Sequence, residues 1–557
     1  MRLSFRTLPR QHIALAVIWS LSLYIPIIYA WILSVRSGSM FAGSLWGMHD
    51  HNLYLGGAKM GMHGRVLSDT LLFTTEEGLS LAFSFLPHGT LFYRLVGWLY
   101  GLMGLPSNLL FMVVGLPLSI VAFGAYYALF SEVLRSEAER RLGLLMLFTF
   151  PGLIWMEKLY QNVPNIESWL PPRLLYTELW GIGNMNPITH NAHVPHFVVA
   201  SIAMAFGMLT LAQSVRARQP NHFRLAGFGF LVAWLLPSLG ILWVAVFVAF
   251  LVYAICYWKY PIGQGVRTLL TLIPAACMVA LPVVVSRGDH VWAEYVRLAV
   301  AVTGTVDPIT WFMHLGVLGV LGLWGAIKTL RGSRPDEAGR VLMAVWLLMT
   351  FLLSFLFRVG SPRLMDGLYL PAIALSVPLI INPGISRHRY NIFRFAVALA
   401  LLPGTVVTYI YPWAGRFHVA GVDHRLSLQD ADLWPVVLSE DEDAALGILE
   451  SEAKADDIVI AGPVLASFVP GFTGRRVYLG HIVATLRFWD KLAVVKQLEE
   501  QPTLLGLANA RSVWILDTPK EHLSRPPSLR LQSGRNLCLN QETESGKVIL
   551  AHYIPCG

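Results

Sequence analysis

The sequence predicts an α-helical polytopic membrane protein of about eleven transmembrane helices carrying a small C-terminal α/β domain outside the cytoplasm. Three observations predict it. Of 557 residues, 55% are hydrophobic and only 14% charged, with mean hydropathy +0.56. That is more apolar surface than a soluble core of this length hides. Apolar runs recur at lengths approaching the ~20 residues needed to cross a bilayer. Charge is also divided: residues 414–557 hold 14 Lys+Arg against 18 Asp+Glu, a net of −4, which leaves +12 of the total +8 on residues 1–413. Basic residues on a membrane domain mark the ends of spans rather than a nucleic-acid partner.

Taken in order, the apolar runs lie near 12–34, 108–130, 142–156, 197–213, 225–238, 240–258, 267–285, 311–328, 341–357, 364–381 and 392–413. The first is long and closed by no small-residue cleavage site, so it reads as a retained span rather than a signal peptide. "LLPSLG" at 235–240 suits a tight re-entry between two spans, although 225–258 also reads as one bent helix. With the N-terminus cytoplasmic, the short inside loops hold 18 basic residues, from Arg2, Arg6 and Arg10 to Arg387, Arg389 and Arg394. The outside loops before 414 hold 10, spread over more than twice the length. The positive-inside rule therefore puts a first loop 35–107, a second loop 157–196, residues 286–310 and the tail outside. Within the first loop, 81–106 mixes aromatics with breakers and reads as an interfacial helix pair, or as a further span with a re-entrant partner.

In the tail, "DDIVIAG" (456–462), "RRVYLG" (475–480) and "ARSVWILD" (510–517) are short β-branched runs bounded by turn residues, and 484–500 has helical periodicity. Cys538 and Cys556 lie here, Cys256 and Cys277 in spans. An oxidising compartment allows a Cys538–Cys556 disulfide; two buried thiols are the alternative.

The residues that can carry chemistry gather in the outer segments. "MHDHNLY" places Asp50 among His49, His51, Asn52 and Tyr54, a set able to accept a proton or to help hold a divalent cation, with Asp50 and His51 as ligands if a metal binds. The spacing is no recognised metal motif, and the cofactor stays unknown. The second loop adds Glu178, His190, His193 and His196. "FRVGSPRLMDGLYLPAIAL" (357–375) adds Arg358, Arg363 and Asp366; a guanidinium there suits a phosphate or pyrophosphate, and Arg363 with Asp366 equally suits an i,i+3 ion pair.

A first span, a long outer loop with an acidic residue close behind it, many further helices and an outer C-terminal domain resemble the GT-C superfamily of polytopic glycosyltransferases. That superfamily includes oligosaccharyltransferases, protein mannosyltransferases and lipid A aminoarabinose transferases. "DHNLYLGGAKMGMHGRVLSDTLLFTTEE", "HVPHF", "SPRLMDGLYLPAIAL" and "GRRVYLGHIVATLRFWDK" are similar to a bacterial group within it. The resemblance implies that Asp50 activates the acceptor or helps bind metal. It matches Glu76 to a Thr-Glu step, His196 to a Pro-His-Phe entry to a span, Arg363 to the arginine before a late span, and His481 to the Gly-His of the tail. The first loop lacks an Asp-x-Asp or Asp-Asp pair, and "TTEE" lacks the expected following Pro-His.

The activity implied is transfer of a sugar from a polyprenyl-phosphate carrier to an acceptor on the outer face of a bacterial inner membrane. Asp50 and Glu76 would be catalytic, and His49, His51, Asn52, Tyr54, Glu178, His193, His196, Arg363 and His481 would bind substrate. In-line attack predicts inversion at the anomeric carbon. A transporter or lipid flippase is the main rival; it fits less well because the spans are nearly free of charge and no internal repeat is evident. A surface metalloenzyme lacks His-Glu-x-x-His, and a purely structural role is opposed only by the clustering of polar loops.

Overall fold

The structure is a computed structural model that describes residues 10–44, 48–67, 72–73, 90–149, 194–288, 293–294, 297, 315–332, 334–356, 364, 367–381, 391, 397, 437–481, 484–500, 503–504, 510–519 and 521–556. In chain order the elements are α1 (Arg10–Arg36), β1 (Met40–Phe41), α2 (Met48–Met62), α3 (Thr90–Gly101), α4 (Leu110–Val133), α5 (Glu137–Thr149), α6 (Pro195–Ala217), α7 (His222–Leu235), α8 (Pro237–Trp258), α9 (Ile262–Leu269), α10 (Ile273–Gly288), α11 (Val317–Gly332), α12 (Ala338–Leu356) and α13 (Tyr369–Ile381). The tail follows with β2 (Val437–Leu438), α14 (Glu440–Glu452), β3 (Ile458–Ala461), α15 (Pro463–Thr473), β4 (Arg476–Val477), α16 (Phe488–Lys496), β5 (Thr503–Leu504), β6 (Val513–Asp517), β7 (Ser528–Leu531), β8 (Asn536–Ser545) and β9 (Val548–Pro555).

Among the described residues, five helical segments are long and apolar enough to cross a membrane: Ser107–Val133, Pro195–Ala217, Pro237–Trp258, Ile262–Val285 and Pro335–Leu356. The bent pair His12–Ile25 and Ile27–Arg36 makes a sixth. The expectation was eleven. The runs near 225–238 and 364–381 are helices of 14 and 13 residues, about 20 Å at 1.5 Å per residue against a hydrocarbon core of ~30 Å. The run near 311–328 yields the 16-residue α11, and that near 142–156 is described only as far as Thr149 in α5. Nearly all of 392–413 lies outside the described residues.

The chain divides into two compact units: 1–23, 115–282 and 303–415 in one, and 24–114, 283–302 and 416–557 in the other. The first is a helical bundle. Leu236 is extended between α7 and α8, and Gly240 lies so close to Ala233 that a Cβ would come within 2.7 Å of it. The two helices therefore fold back on each other at the Pro237 break. Buried Trp243 of α8 fills the space left by Gly207 of α6 and Gly229 of α7, each of which would place a Cβ 2.6 Å from its indole. At one end of the bundle Arg216 pairs with Glu132, Arg135 with Glu337, and the Arg340 Nε donates to the Val133 carbonyl at 3.0 Å. The charged ends of α4, α6 and α12 thus meet. In the charge-based topology these ends share the cytoplasmic side.

The second unit is built on a seven-stranded sheet in the order β4-β3-β6-β9-β8-β7-β5. Strands β4, β3 and β6 are parallel; β9 runs antiparallel to β6 and β8, and β8 to β7. Every residue of β3 and β6 is buried, as a parallel strand covered on both faces requires. The two-residue period sends Val459, Ala461, Trp514 and Leu516 to one face and Ile458, Ile460, Val513 and Ile515 to the other. The second face is covered by Phe488, Leu492 and Val495 of α16. The first is covered by α14 and α15 and also by the first loop: Leu55, Ala58, Met60, Phe73 and Tyr93 belong to the same core as Leu465, Phe468 and Phe472. β1 pairs antiparallel with β2, and the Val477 N–H donates to the Leu72 carbonyl at 2.8 Å beside the outermost strand. The tail expected as 414–557 therefore shares its unit with the first loop. Cys538 and Cys556 form a disulfide that ties β8 to the residue after β9; Cys256 and Cys277 are free.

Local signals explain the helices of this unit. Ser439 and Glu442 form a reciprocal capping box, and α14 opens on four acidic residues at the positive end of its dipole. Pro463 starts α15, whose first free N–H groups, from Val464 and Leu465, both donate at 2.8 Å to the Glu521 carboxylate. Gly474 ends it at φ +69.

Candidate active site

Asp50 lies in the first turn of α2, where the helix dipole favours a negative charge. Its Oδ1 is 3.2 Å from the Nε2 of His481, just beyond β4. The imidazole is 2% exposed and the carboxylate 35%, so a buried ring supports an acid that solvent or substrate can reach. The tautomer follows from the other ring nitrogen. Nδ1 accepts the Ala484 N–H at 3.0 Å and so carries no proton; the ring proton is on Nε2 and is donated to Asp50.

The loop holding His481 is itself fixed. The Thr485 Oγ1 accepts the N–H groups of Gly480 and His481, both at 3.1 Å, and donates to the Phe73 carbonyl at 2.6 Å. The Thr485 N–H donates to the His481 carbonyl at 2.7 Å. Gly480 has no room for a side chain, since a Cβ would lie 2.8 Å from Val477 and 3.1 Å from Phe73. Lys491, fully buried, places its ammonium 5.3 Å from the centre of the Tyr478 ring, a cation–π contact beneath the same segment. Thr485 and Lys491 both lie in the tail stretch "GRRVYLGHIVATLRFWDK", where the resemblance singles out His481 alone. A glycine before the histidine and a threonine four residues after it were the available signals.

The other expected residues divide. Asn52 is buried and donates from Nδ2 to the Ser467 Oγ at 3.0 Å, joining α2 to α15. Tyr54 stacks on Tyr93 of α3 at 4.8 Å between ring centres. His51 points away from Asp50: successive helix residues project about 100° apart, and its ring lies buried against Phe111 at 4.1 Å. Burial pushes its pKa down to about 3, with a smaller opposing pull from the Ala42 backbone. It is a neutral core histidine rather than a partner for a cation at Asp50. Gly43, at φ +100, makes room for it; a Cβ there would lie 2.8 Å from the His51 Nε2. His49 is in the first turn of α2. His196 is buried at the start of α6 with its ring against Phe197, in the helical bundle unit. Glu76, Glu178, His190, His193, Arg358, Arg363 and Asp366 lie outside the described residues. Among the described residues no three His, Cys, Asp or Glu side chains converge in a metal-binding group.

At the other end of α2, the Lys59 Nζ lies 2.7 Å from the Glu450 carboxylate and the His63 Nε2 3.5 Å. The His63 hydrogen bond and the Lys59 ammonium hold that carboxyl down to about 2. This ties α2 to α14 and fixes both ends of the helix carrying Asp50.

No family model matches the chain, and no curated protein does. Among solved structures, the oligosaccharyltransferase of Archaeoglobus fulgidus, crystallised tethered to an acceptor peptide containing the NVT sequon, is 11% identical at TM-score 0.39 over 90% of this chain and 68% of that one. ArnT from Cupriavidus metallidurans, crystallised bound to undecaprenyl phosphate, is 12% identical at TM-score 0.44 over 96% of this chain and 97% of that one. Both are GT-C glycosyltransferases. At these scores the likeness stands beside the motif resemblance and carries no inference of its own.

Proposed function

We propose that the protein is a membrane glycosyltransferase that moves a sugar from a polyprenyl-phosphate donor to an acceptor on the outer face of a bacterial inner membrane, with Asp50 as general base. The single observation that carries this is the Asp50–His481 pair: two residues from separate motifs, 431 positions apart, meet in one partly open site. The order of motifs along the chain supports the substrate class. The N-terminus is taken as cytoplasmic, the first loop and tail as extracytoplasmic, and the spans as about eleven.

In this reading the acceptor hydroxyl attacks the anomeric carbon from the face opposite the phosphate. Its proton passes to Asp50, the bond from carbon to phosphate oxygen breaks, and polyprenyl phosphate departs with inversion. His481 holds the carboxylate in place; with its Nδ1 engaged it is a positioning residue and not the proton acceptor. Arg363 is assigned the donor phosphate, Glu76 keeps its assignment as a catalytic residue, and Glu178, His193 and His196 keep theirs to substrate binding. A divalent cation near Asp50 would supply further charge neutralisation at the departing phosphate.

The test begins with mass spectrometry of lipids that co-purify with the protein, where a polyprenyl-phosphate sugar is expected. With that donor, Asp50→Asn should lose transfer by about 10²–10⁴-fold, the range of general-base catalysis, at normal membrane insertion. His481→Gln, which keeps a donor at similar reach, should retain part of the activity that His481→Ala loses. Full activity of Asp50→Asn removes Asp50 as the base. Lipid movement across vesicles without sugar transfer would favour a flippase.

A further inference from the structure

From residue 437 onward, Trp489 is the only large apolar side chain left exposed among the described residues, at 66%. The other exposed residues on that side of α16 are Arg487, Asp490, Ala493 and Lys496, so a bare indole lies among charged groups. Phe488, one position earlier, goes into the core and meets the indole at 87°, with 5.2 Å between ring centres.

The turn that presents Trp489 is strained. Arg487, the N-cap of α16, has φ +54, the left-handed region that costs energy for a residue with a Cβ. Among the described residues, two other non-glycine residues share that region, Arg218 and Lys259. Both end helices, where a left-handed turn is common. Arg487 begins one, where extended backbone is usual. The strain persists because both sides are fixed. Upstream, Thr485 is bonded to the His481 loop and to Phe73; downstream, the Arg487 carbonyl accepts the Lys491 N–H at 3.0 Å. Strain held in this way collects at ligand clamps. Here the Arg487 Nε donates to the Asp490 Oδ2 at 2.9 Å, which holds a guanidinium and a carboxylate beside the indole.

We propose that Trp489, Arg487 and Asp490 form a subsite for a saccharide, the sugar chain of the acceptor; this rests on the reading of the protein as a glycosyltransferase and narrows its acceptor to a glycan. A pyranose ring has an apolar face of weakly positive C–H groups, which stacks on the negative face of an indole. Its edge carries hydroxyls, which accept from a guanidinium and donate to a carboxylate. A flat apolar surface bordered by one donor and one acceptor matches both features. A stable protein interface buries about 1,600 Å² around several apolar anchors, and this surface offers one. A bilayer surface would favour apolar neighbours over Asp490. Placement joins the subsite to Asp50. The Thr485 N–H is bonded to the His481 carbonyl at 2.7 Å, and Trp489 follows four residues later, a reach of at most ~14 Å even for extended chain. One short sugar chain can therefore run from the indole to the Asp50–His481 pair.

The experiment is saturation-transfer NMR on full-length protein in lipid nanodiscs, free of glycoside detergent and without donor. The probes are methyl glycosides and trisaccharides of glucose, galactose, mannose and N-acetylglucosamine. At least one trisaccharide should receive saturation on its ring C–H protons. Trp489→Ala should bind it about tenfold more weakly, the loss of one aromatic face. Trp489→Phe should keep part of the binding, and Asp490→Asn should weaken it with the indole intact. Because Trp489 is exposed, the alanine variant should unfold at the wild-type midpoint, which separates lost binding from lost fold. Equal saturation transfer in wild type and Trp489→Ala, or none to any probe, overturns the subsite. So does quenching by brominated lipid of a fluorophore on Trp489→Cys, with the free Cys256 and Cys277 replaced by serine, which would put a bilayer there instead. Glycan binding that needs Trp489 in a protein carrying no polyprenyl-phosphate sugar would uphold the subsite and remove the donor; a co-purified donor with no glycan binding would do the reverse.

Discussion

"HDH" looks like one cluster, and the helix takes it apart. Because α2 turns about 100° per residue, Asp50 reaches His481 while His51 goes into the core against Phe111. Asp50 was legible because it is an isolated acid in a loop poor in charge. Its partner was legible only as a motif position, since contact order across 431 residues leaves no local trace. His51 gives a prediction with a definite sign. Its folded pKa is pushed down from 6.5 to about 3 by burial, so the folded unit binds fewer protons than the unfolded chain between those values. Stability is full above pH 6.5 and falls as pH drops from 6.5 toward 3, by about 2–3 kcal/mol at pH 4.5. Glu450, held down to about 2, acts in the same direction below its ordinary 4.5; nearly half exposed, it contributes about 1 kcal/mol after screening. The unfolding midpoint of the detergent-solubilised protein, measured from pH 7.5 to 4, should drop on the acid side, and His51→Leu should flatten that limb between 6.5 and 4.5 whatever it does to the plateau. An unchanged slope in the variant would assign the acid limb elsewhere.

Between elements, the decisive residues are the smallest. α2 is crossed on one side by α3 through Gly61 and Gly97 and on another by α15, where Gly471 receives Leu55 with a Cβ only 3.0 Å away. In sequence, "LYLGGAKMG" and "RLVGWLYG" read as weak helices because glycine is a poor helix former in water. The close approaches that reward glycine cannot be seen until the partner helix is known, so α2 and α3 were expected only as a motif-bearing loop and an interfacial segment. By contrast β3, β4 and β6 were legible from β-branched runs ended by turns, because those signals are local. β7 and the polar strand β8 were not, since they are stabilised by pairing with neighbours more than by their own apolar content. Gly97→Leu should therefore be severe, because its side chain meets the backbone of α2, which cannot rotate aside. We expect overpacking of ~1–3 kcal/mol or more, seen as faster amide exchange in both 48–62 and 90–101. Transfer should fall. Protection confined to its normal pattern in α2 would show that the two helices are not locked together.

Across the whole molecule, the unexpected feature is the partnership between the start and end of the chain. Charge and composition separate a basic apolar part from an acidic tail near 414, and that shift is real in the sequence. It reports which medium each segment meets, however, and not which segments pack together. The tail's sheet presents Val459, Ala461, Trp514 and Leu516 to a core completed by Leu55, Met60, Phe73 and Tyr93 from the first loop, and β2 has β1 as its partner. Removing the first loop uncovers several large apolar side chains worth about 1.5–3 kcal/mol each, against a total stability of roughly 5–15 kcal/mol for a domain. Even with its disulfide intact, a fragment 437–557 should be unable to hold its native state. Expressed alone in an oxidising compartment, it should be insoluble or bind hydrophobic dyes and melt without a cooperative transition. Joined by a flexible linker to 37–114, it should gain a sharp transition and amide protection at 458–461 and 513–517. A fragment 437–557 that melts cooperatively by itself, with the same protection in β3 and β6, would show that the first loop merely docks on a finished domain, and that Asp50 meets His481 across an interface able to open.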